Sequence, residues 1–252
     1  MHKEGATLFL WQNDNCVVIG RNQNAIAECN LEYLKENDIK LSRRYSGGGA
    51  VFHDLGNINY TLVMKESLYD LSYAKEFLYD ALKSIGFDVE FSGRNDITID
   101  GAKFSGQAYF FHQNMHVLHG TLMFDLNIGA LGKCLTPPKK KLESKGIKSV
   151  KSRVVNLKQI KPDIKVEQIK EAMIRSFIKF YGESNPLVEV TDQMIDQELT
   201  TYLMSDEWLL GKTPAFDVEI QEKLSFGNVL LRLTIKNNLI KSAEFFTDSL
   251  ET

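Results

Sequence analysis

The chain has 252 residues, 43% of them hydrophobic, enough for one large core or for one domain with a small appendage. Its formal net charge of -3 argues against a broad nucleic-acid surface and a polybasic membrane anchor, so neither nucleic acid nor membrane is an expected partner. No stretch approaches the roughly 18 apolar residues of a spanning helix, and Met1 to Gly5 has no apolar segment behind a charged leader, so a cytoplasmic location is expected. Cys16, Cys29 and Cys134 have no paired short spacing, which fits reduced thiols better than a disulfide framework or a zinc knuckle.

Thr7 to Trp11 and Cys16 to Ile19 read as strands around a polar turn, and Leu31 to Asn37 as a short helix capped by Asn30. Between Leu68 and Gly86 the apolar residues Leu71, Ala74, Phe77, Leu78, Ala81, Leu82 and Ile85 recur at helical spacing, a stripe that belongs in a core. Asp100-Gly101 is a two-residue hairpin signal between strands at Asp96 to Asp100 and Ala102 to Phe111, and Asn114 separates these from a strand at Met115 to Phe124. Helical patterning returns over Val166 to Tyr181, stopped by Gly182, and over Met194 to Leu210, stopped by Gly211. Beyond Pro214 the texture changes to three short strands, at Phe216 to Ile220, Val229 to Ile235 and from Ile240 onward, with Gly227-Asn228 and Asn237-Asn238 as turns.

Three segments carry candidate chemistry. In Arg43-Arg44-Tyr-Ser46-Gly47-Gly48-Gly49-Ala50-Val51-Phe52-His53-Asp54, three glycines remove every side chain that would hold a molecule off the main chain, and Arg44 offers a bidentate cation. That combination suits a nucleotide triphosphate, although a flexible loop or crowded strand crossing would also use glycine. No Gly-Lys-Ser/Thr follows, so it is not a Walker loop. In Ser92-Gly-Arg-Asn95-Asp96 with Gly101-Ala-Lys103-Phe-Ser105-Gly106, a strand lysine can reach into a cleft and bridge two anions. Adenylation needs such a bridge, because a carboxylate must approach the α-phosphate of ATP while negative charge accumulates at phosphorus. Asp96 can hold magnesium, hydrogen-bond a nucleotide or cap its own turn, and His119 reads as a pocket wall. His53, His112 and His116 lack the spacing of a metal site. The third segment, Lys139 to Arg153, is a basic run, either a solvated face or a mobile cationic loop over a ligand or an acidic partner.

Together with Leu8-Phe-Leu-Trp-Gln12, Val18-Ile-Gly-Arg-Asn-Gln-Asn24, His119-Gly-Thr121, Lys145-Gly-Ile and Ser152-Arg-Val154, these segments resemble the lipoate–protein ligase family from about Thr7 to the end of the chain. The resemblance implies an α+β fold of mainly antiparallel sheets with flanking helices, related to biotin ligases. It implies a catalytic domain over residues 1–212 and part of a small accessory domain over 213–252. It also implies ATP and Mg2+, lipoic acid as substrate, and acceptor lysines on lipoyl domains of 2-oxoacid dehydrogenase complexes or on the glycine-cleavage H protein. By the same resemblance Lys103 is the essential lysine touching both lipoate and the α-phosphate. Arg44, Gly49, Ala50, Val51, Phe52, Asn95 and Asp96 fall at ATP-binding positions, and Ser46, Gly47, Ser105, Gly106 and His119 on the lipoyl side. Against the family pattern the chain looks shortened at both ends.

Two other readings compete. A transferase of the same fold working through a cysteine thioester needs an activated thiol, for which Cys134 is the candidate nearest the basic run. A non-catalytic module that only holds lipoate or lipoyl-AMP would not require both Lys103 and Arg44.

Overall fold

The computed structural model describes residues 5–93, 95–136, 154–182, 187–211, 218–236 and 239–250. The basic run at 139–153 therefore lies outside the described residues, as do Pro214 and Asn237-Asn238. The architecture is mixed α+β with mainly antiparallel sheets, as anticipated. The chain divides into two compact units, each drawn from separated stretches: residues 1–14, 53–128 and 140–189 in the first, and 15–52, 129–139 and 190–252 in the second. The boundary placed after residue 212 from the sequence lies inside the second unit.

The strands are β1 (Ala6–Trp11), β2 (Cys16–Ile19), β3 (Lys40–Arg43), β4 (Val51–His53), β5 (Asn57–Lys65), β6 (Glu90–Ser92), β7 (Asp96–Ile99), β8 (Ala102–His112), β9 (Met115–Met123), β10 (Val218–Leu224), β11 (Gly227–Lys236) and β12 (Leu239–Thr247). The helices are α1 (Ala25–Glu28), α2 (Leu31–Glu36), α3 (Leu71–Ser84), α4 (Ile128–Cys134), α5 (Leu157–Ile160), α6 (Val166–Tyr181), α7 (Gln197–Leu203) and α8 (Asp206–Leu209).

In the first unit six strands form one sheet in the order β1-β5-β9-β8-β7-β6. Period-2 alternation gives its strands two distinct faces. On β5, Ile58, Tyr60, Leu62 and Met64 are fully buried against Phe77, Leu78, Ala81 and Leu82 of α3 and Ile169, Met173 and Phe177 of α6. The opposite face of the same strand carries Asn57, Asn59 and Thr61, and is polar. Asp70 caps α3 by accepting from the Ser72 and Tyr73 amides, and Gly86 with φ +87° ends the turn after the helix. α6 spans Val166–Tyr181 as its periodicity predicts, and Gly182 with φ +95° stops it. Asp100-Gly101 and Gln113-Asn114 each place two successive residues at positive φ, the type I′ geometry whose twist suits a two-residue hairpin.

The second unit holds a three-stranded sheet β3-β2-β4, with β2 and β3 parallel, and the antiparallel meander β10-β11-β12. Two sequence expectations are corrected here. The helix expected over Met194 to Leu210 is broken into α7 and α8, because Ser205 caps a new helix by accepting from the Trp208 amide instead of continuing the old one. Gly227-Asn228 does not form a turn but opens β11, since Asp248 accepts from both the backbone and side-chain amides of Asn228, at 2.7 and 2.6 Å, and holds it in the ladder.

Phe77 is fully buried between the two long helices. Phe77→Ala is therefore expected to cost about 3–5 kcal/mol of stability, read as a lower urea midpoint at unchanged slope.

Candidate active site

The catalytic lysine expected from the sequence lies near the start of β8, inside the first unit's sheet, and a one-residue irregularity decides where it points. β7 and β8 pair Asp96 with Gly106 and Ile97 with Ser105, then shift so that Thr98 faces Lys103. The extra residue, Phe104, makes this a bulge, and a bulge changes which side chains share a face. Without it Lys103 and Ser105 would lie on the same side. With it, Phe104 and Ser105 are fully buried in the interior, while Lys103 joins Asp96 and Gly106 on the polar face.

There the Lys103 Nζ lies 2.6 Å from Asp96 Oδ1, with side-chain exposures of 37% and 38%. It also lies 3.3 Å from where a Cβ on Gly106 would stand, so the missing side chain leaves the ammonium its room. A half-exposed pair of this kind is worth about 0–1 kcal/mol, weak enough for an anionic ligand to displace the carboxylate. Gly106 N–H donates to Thr121 Oγ1 at 3.2 Å, and on the same face His119 stands opposite Thr61 and Ala108. Asn95 donates from Nδ2 to the Gln107 carbonyl at 3.1 Å and accepts from the Gln107 amide at 2.8 Å, so it closes the turn before β7. Ser105, expected on the lipoyl side, is turned instead towards the core beside Tyr60, which burial pushes well above the ordinary tyrosine range.

Asp96 stands in this structure as the partner of Lys103, and the described residues contain no group of three or more His, Cys, Asp or Glu that could hold a metal ion.

The glycine loop belongs to the second unit, and Arg44 organises it from within. Its Nη2 donates to the carbonyls of Gly47 and Gly49, both at 2.8 Å, its Nη1 to Val18 at 3.1 Å and its Nε to Ser46 Oγ at 3.1 Å. Burial lowers its pKa to about 10. In this structure Arg44 braces the loop, its guanidinium drawing loop carbonyls towards itself. Two of the three glycines have causes in the chain itself. A Cβ at Gly47 would collide with the Ser249 carbonyl, and Gly48 sits at φ +93° while its N–H donates to that same carbonyl at 2.8 Å. Gly49 is exposed, and a Cβ there would meet nothing within 4 Å. Ser46 is fully buried and accepts from Arg44, Ala50 and Val51 are partly exposed, and Phe52 is buried. Sequence reasoning missed Ser249 as the support of this loop, since the serine carries no signal until its carbonyl is placed.

Arg43 donates to the carbonyls of Gly20, Arg21, Gln23, Trp208 and Leu209, tying β3 to α8 within the same unit. Cys134 is fully buried and its pKa is raised by desolvation; that of Cys29 is pushed up to about 12 by burial and then by Glu28 and Cys134. A thioester nucleophile needs the opposite shift.

Gly47→Ala is expected to lower stability by at least about 1–3 kcal/mol through overpacking, whereas Gly49→Ala stays within about 0.5 kcal/mol of the parent; paired thermal melts check both.

Residues 1–178 match the family model of the lipoyl protein ligase A/B catalytic domain, and residues 213–252 that of the bacterial lipoate protein ligase C-terminus. The chain is 38% identical over 260 residues to lipoate-protein ligase A of Psychrobacter cryohalolentis, covering 99% of this chain and 77% of that protein. Among solved structures it is similar to P. falciparum LipL1 in complex with lipoate, with a TM-score of 0.83 and 34% identity over 97% of this chain and 73% of that one. It is also similar to a lipoate-protein ligase A bound with ATP, with a TM-score of 0.69 and 25% identity over 84% of this chain and 88% of that one. The chain therefore belongs to the lipoyl protein ligase A/B family.

Proposed function

We propose that this protein is an ATP-dependent lipoate–protein ligase, forming lipoyl-AMP and passing the lipoyl group to an acceptor lysine. The observation that carries this reading is Lys103: an ammonium aimed onto the polar face of the sheet by a bulge, held by one displaceable carboxylate above a glycine. A lipoate-bound and an ATP-bound relative support the two substrates.

In the first step a lipoate carboxylate oxygen attacks the α-phosphorus of ATP. The bond from α-phosphorus to the bridging oxygen breaks, and pyrophosphate leaves with that electron pair. Lys103 stabilises both the incoming carboxylate and the charge growing on the α-phosphate, leaving Asp96 to do so. Asp96 and Asn95 then face the nucleotide, while Gly106 and His119 bound the acyl side. Magnesium, in this reading, travels with the ATP phosphates and neutralises part of their charge. In the second step the neutral amine of an acceptor lysine attacks the acyl carbon, AMP leaves with the bonding pair, and the new amide nitrogen loses a proton. Lipoyl domains of 2-oxoacid dehydrogenase complexes or the glycine-cleavage H protein have the chemistry of such an acceptor. Cys16, Cys29 and Cys134 form no disulfide, which fits a reducing, cytoplasmic compartment, and no helix among the described residues is long and apolar enough to cross a membrane.

The raised thiol pKa values of Cys29 and Cys134 weigh against the thioester transferase. Pyrophosphate release that requires lipoate, followed by a mass increase of an apo acceptor domain, is the expected outcome for the parent protein. Lys103→Ala should lose at least about a hundredfold in that release, and Cys134→Ala should keep it. Acyl transfer without pyrophosphate release, abolished by Cys134→Ala, would instead establish the transferase.

A further inference from the structure

One buried polar group on the face that carries Lys103 has no use in the scheme above. Asn59, on β5, is 2% exposed, and its Nδ2 has no hydrogen-bond partner among the described residues. A buried amide donor without a partner costs about 1–3 kcal/mol, so such groups are rare unless something else satisfies them. Its neighbour takes up the other end of the amide: Asn57 donates from Nδ2 to Asn59 Oδ1 at 3.0 Å, which leaves Nδ2 of Asn59 as the buried donor still to be satisfied.

The strand register places this donor relative to Lys103. Asp96 stands opposite Gly106, Gly106 donates to Thr121, Thr121 stands opposite Asn59, and Asn59 stands opposite Trp11, all in one row across the polar face. The Lys103 ammonium lies over the Gly106 end of that row. From β8 to β5 is two strand steps, about 10 Å at the usual spacing. Trp11 Nε1 is already spent on Thr61 Oγ1 at 3.2 Å, so the indole bounds the far end without competing as a donor.

We propose that Asn59 is a specificity-determining residue that recognises the sulfur-bearing end of the acyl substrate, its Nδ2 donating to a ring sulfur while the carboxylate is at Lys103. This inference rests on the ligase reading and extends it. A lipoate chain, with its sulfurs on the sixth and eighth carbons, has the reach to cover two strand spacings. A ring sulfur is a weak acceptor, but it is the only kind of acceptor that such an acid carries away from its carboxylate. A plain fatty acid of the same length leaves the donor unpaired.

The test compares lipoate with its carbocyclic analogue, 5-cyclopentylpentanoate, in which both sulfurs are replaced by methylene groups, so that ring and chain are kept while the acceptor is lost. Calorimetric dissociation constants are measured for the full chain and for Asn59→Leu, with pyrophosphate release recorded for each acid and thermal melts confirming folding. The full chain is expected to bind lipoate about tenfold more tightly than the analogue, the scale of one neutral hydrogen bond. Asn59→Leu should bring that ratio to within about twofold, mainly by weakening lipoate. If Asn59→Leu does not fold, Asn59→Ala serves, since a cavity weakens both acids and leaves their ratio as the readout. Equal weakening of both acids in a folded variant, or no preference in the full chain, overturns the inference. Lipoate-dependent pyrophosphate release without such a preference overturns it while leaving the ligase reading intact. A preference in binding that Asn59→Leu abolishes, without pyrophosphate release, supports the inference and removes the ligase reading.

Discussion

The arrangement of the lysine site depends on a single backbone constraint, the extra residue in β8 opposite the junction of Ile97 and Thr98. Strand periodicity alone would put Lys103 and Ser105 on one face and bury both or expose both. Inserting Phe104 separates them, so a fully buried aromatic anchors the bulge while the lysine beside it reaches Asp96. Packing energy thereby fixes a charged group that no packing could hold directly. The ion pair itself is weak at this exposure, which suits a residue proposed to exchange a carboxylate partner for substrate oxygens.

The glycine loop shows the same division between what holds a site and what acts in it. Arg44 is the obvious cation of the segment, yet its donors are turned inward onto Gly47, Gly49, Val18 and Ser46. The segment ending at Leu250 presses against the same loop through the Ser249 carbonyl. The C-terminal stretch of the chain is thus a structural part of the loop in its own unit. Gly49 is the one glycine of the three whose freedom the surrounding chain does not require.

Much of the fold was legible in local pattern. The stripes of α3 and α6, the cap Asn30 and the Asp100-Gly101 hairpin are decided by residues near one another in sequence, and the structure places them where those residues indicate. The sequence reading passed over β5, the strand that carries both Tyr60 and Asn59, because Asn57 and Asn59 interrupt its apolar run and only the finished sheet explains why asparagine is there. The site was legible in the same uneven way. Lys103 and Asp96 could be nominated from the company they keep, and they do meet. The turning of Ser105 into the core and of Arg44 into its own loop could not be, since a bulge and a set of long-range carbonyl contacts decide them.

The most direct test of the central claim is a structure of the protein with a non-hydrolysable lipoyl-adenylate in which a sulfamoyl group replaces the phosphate. The account expects Lys103 Nζ to leave Asp96 and lie about 3 Å from oxygens on both the acyl and the sulfamoyl groups. A ligand bound elsewhere, with Lys103 still paired to Asp96 and turned from it, would contradict the account.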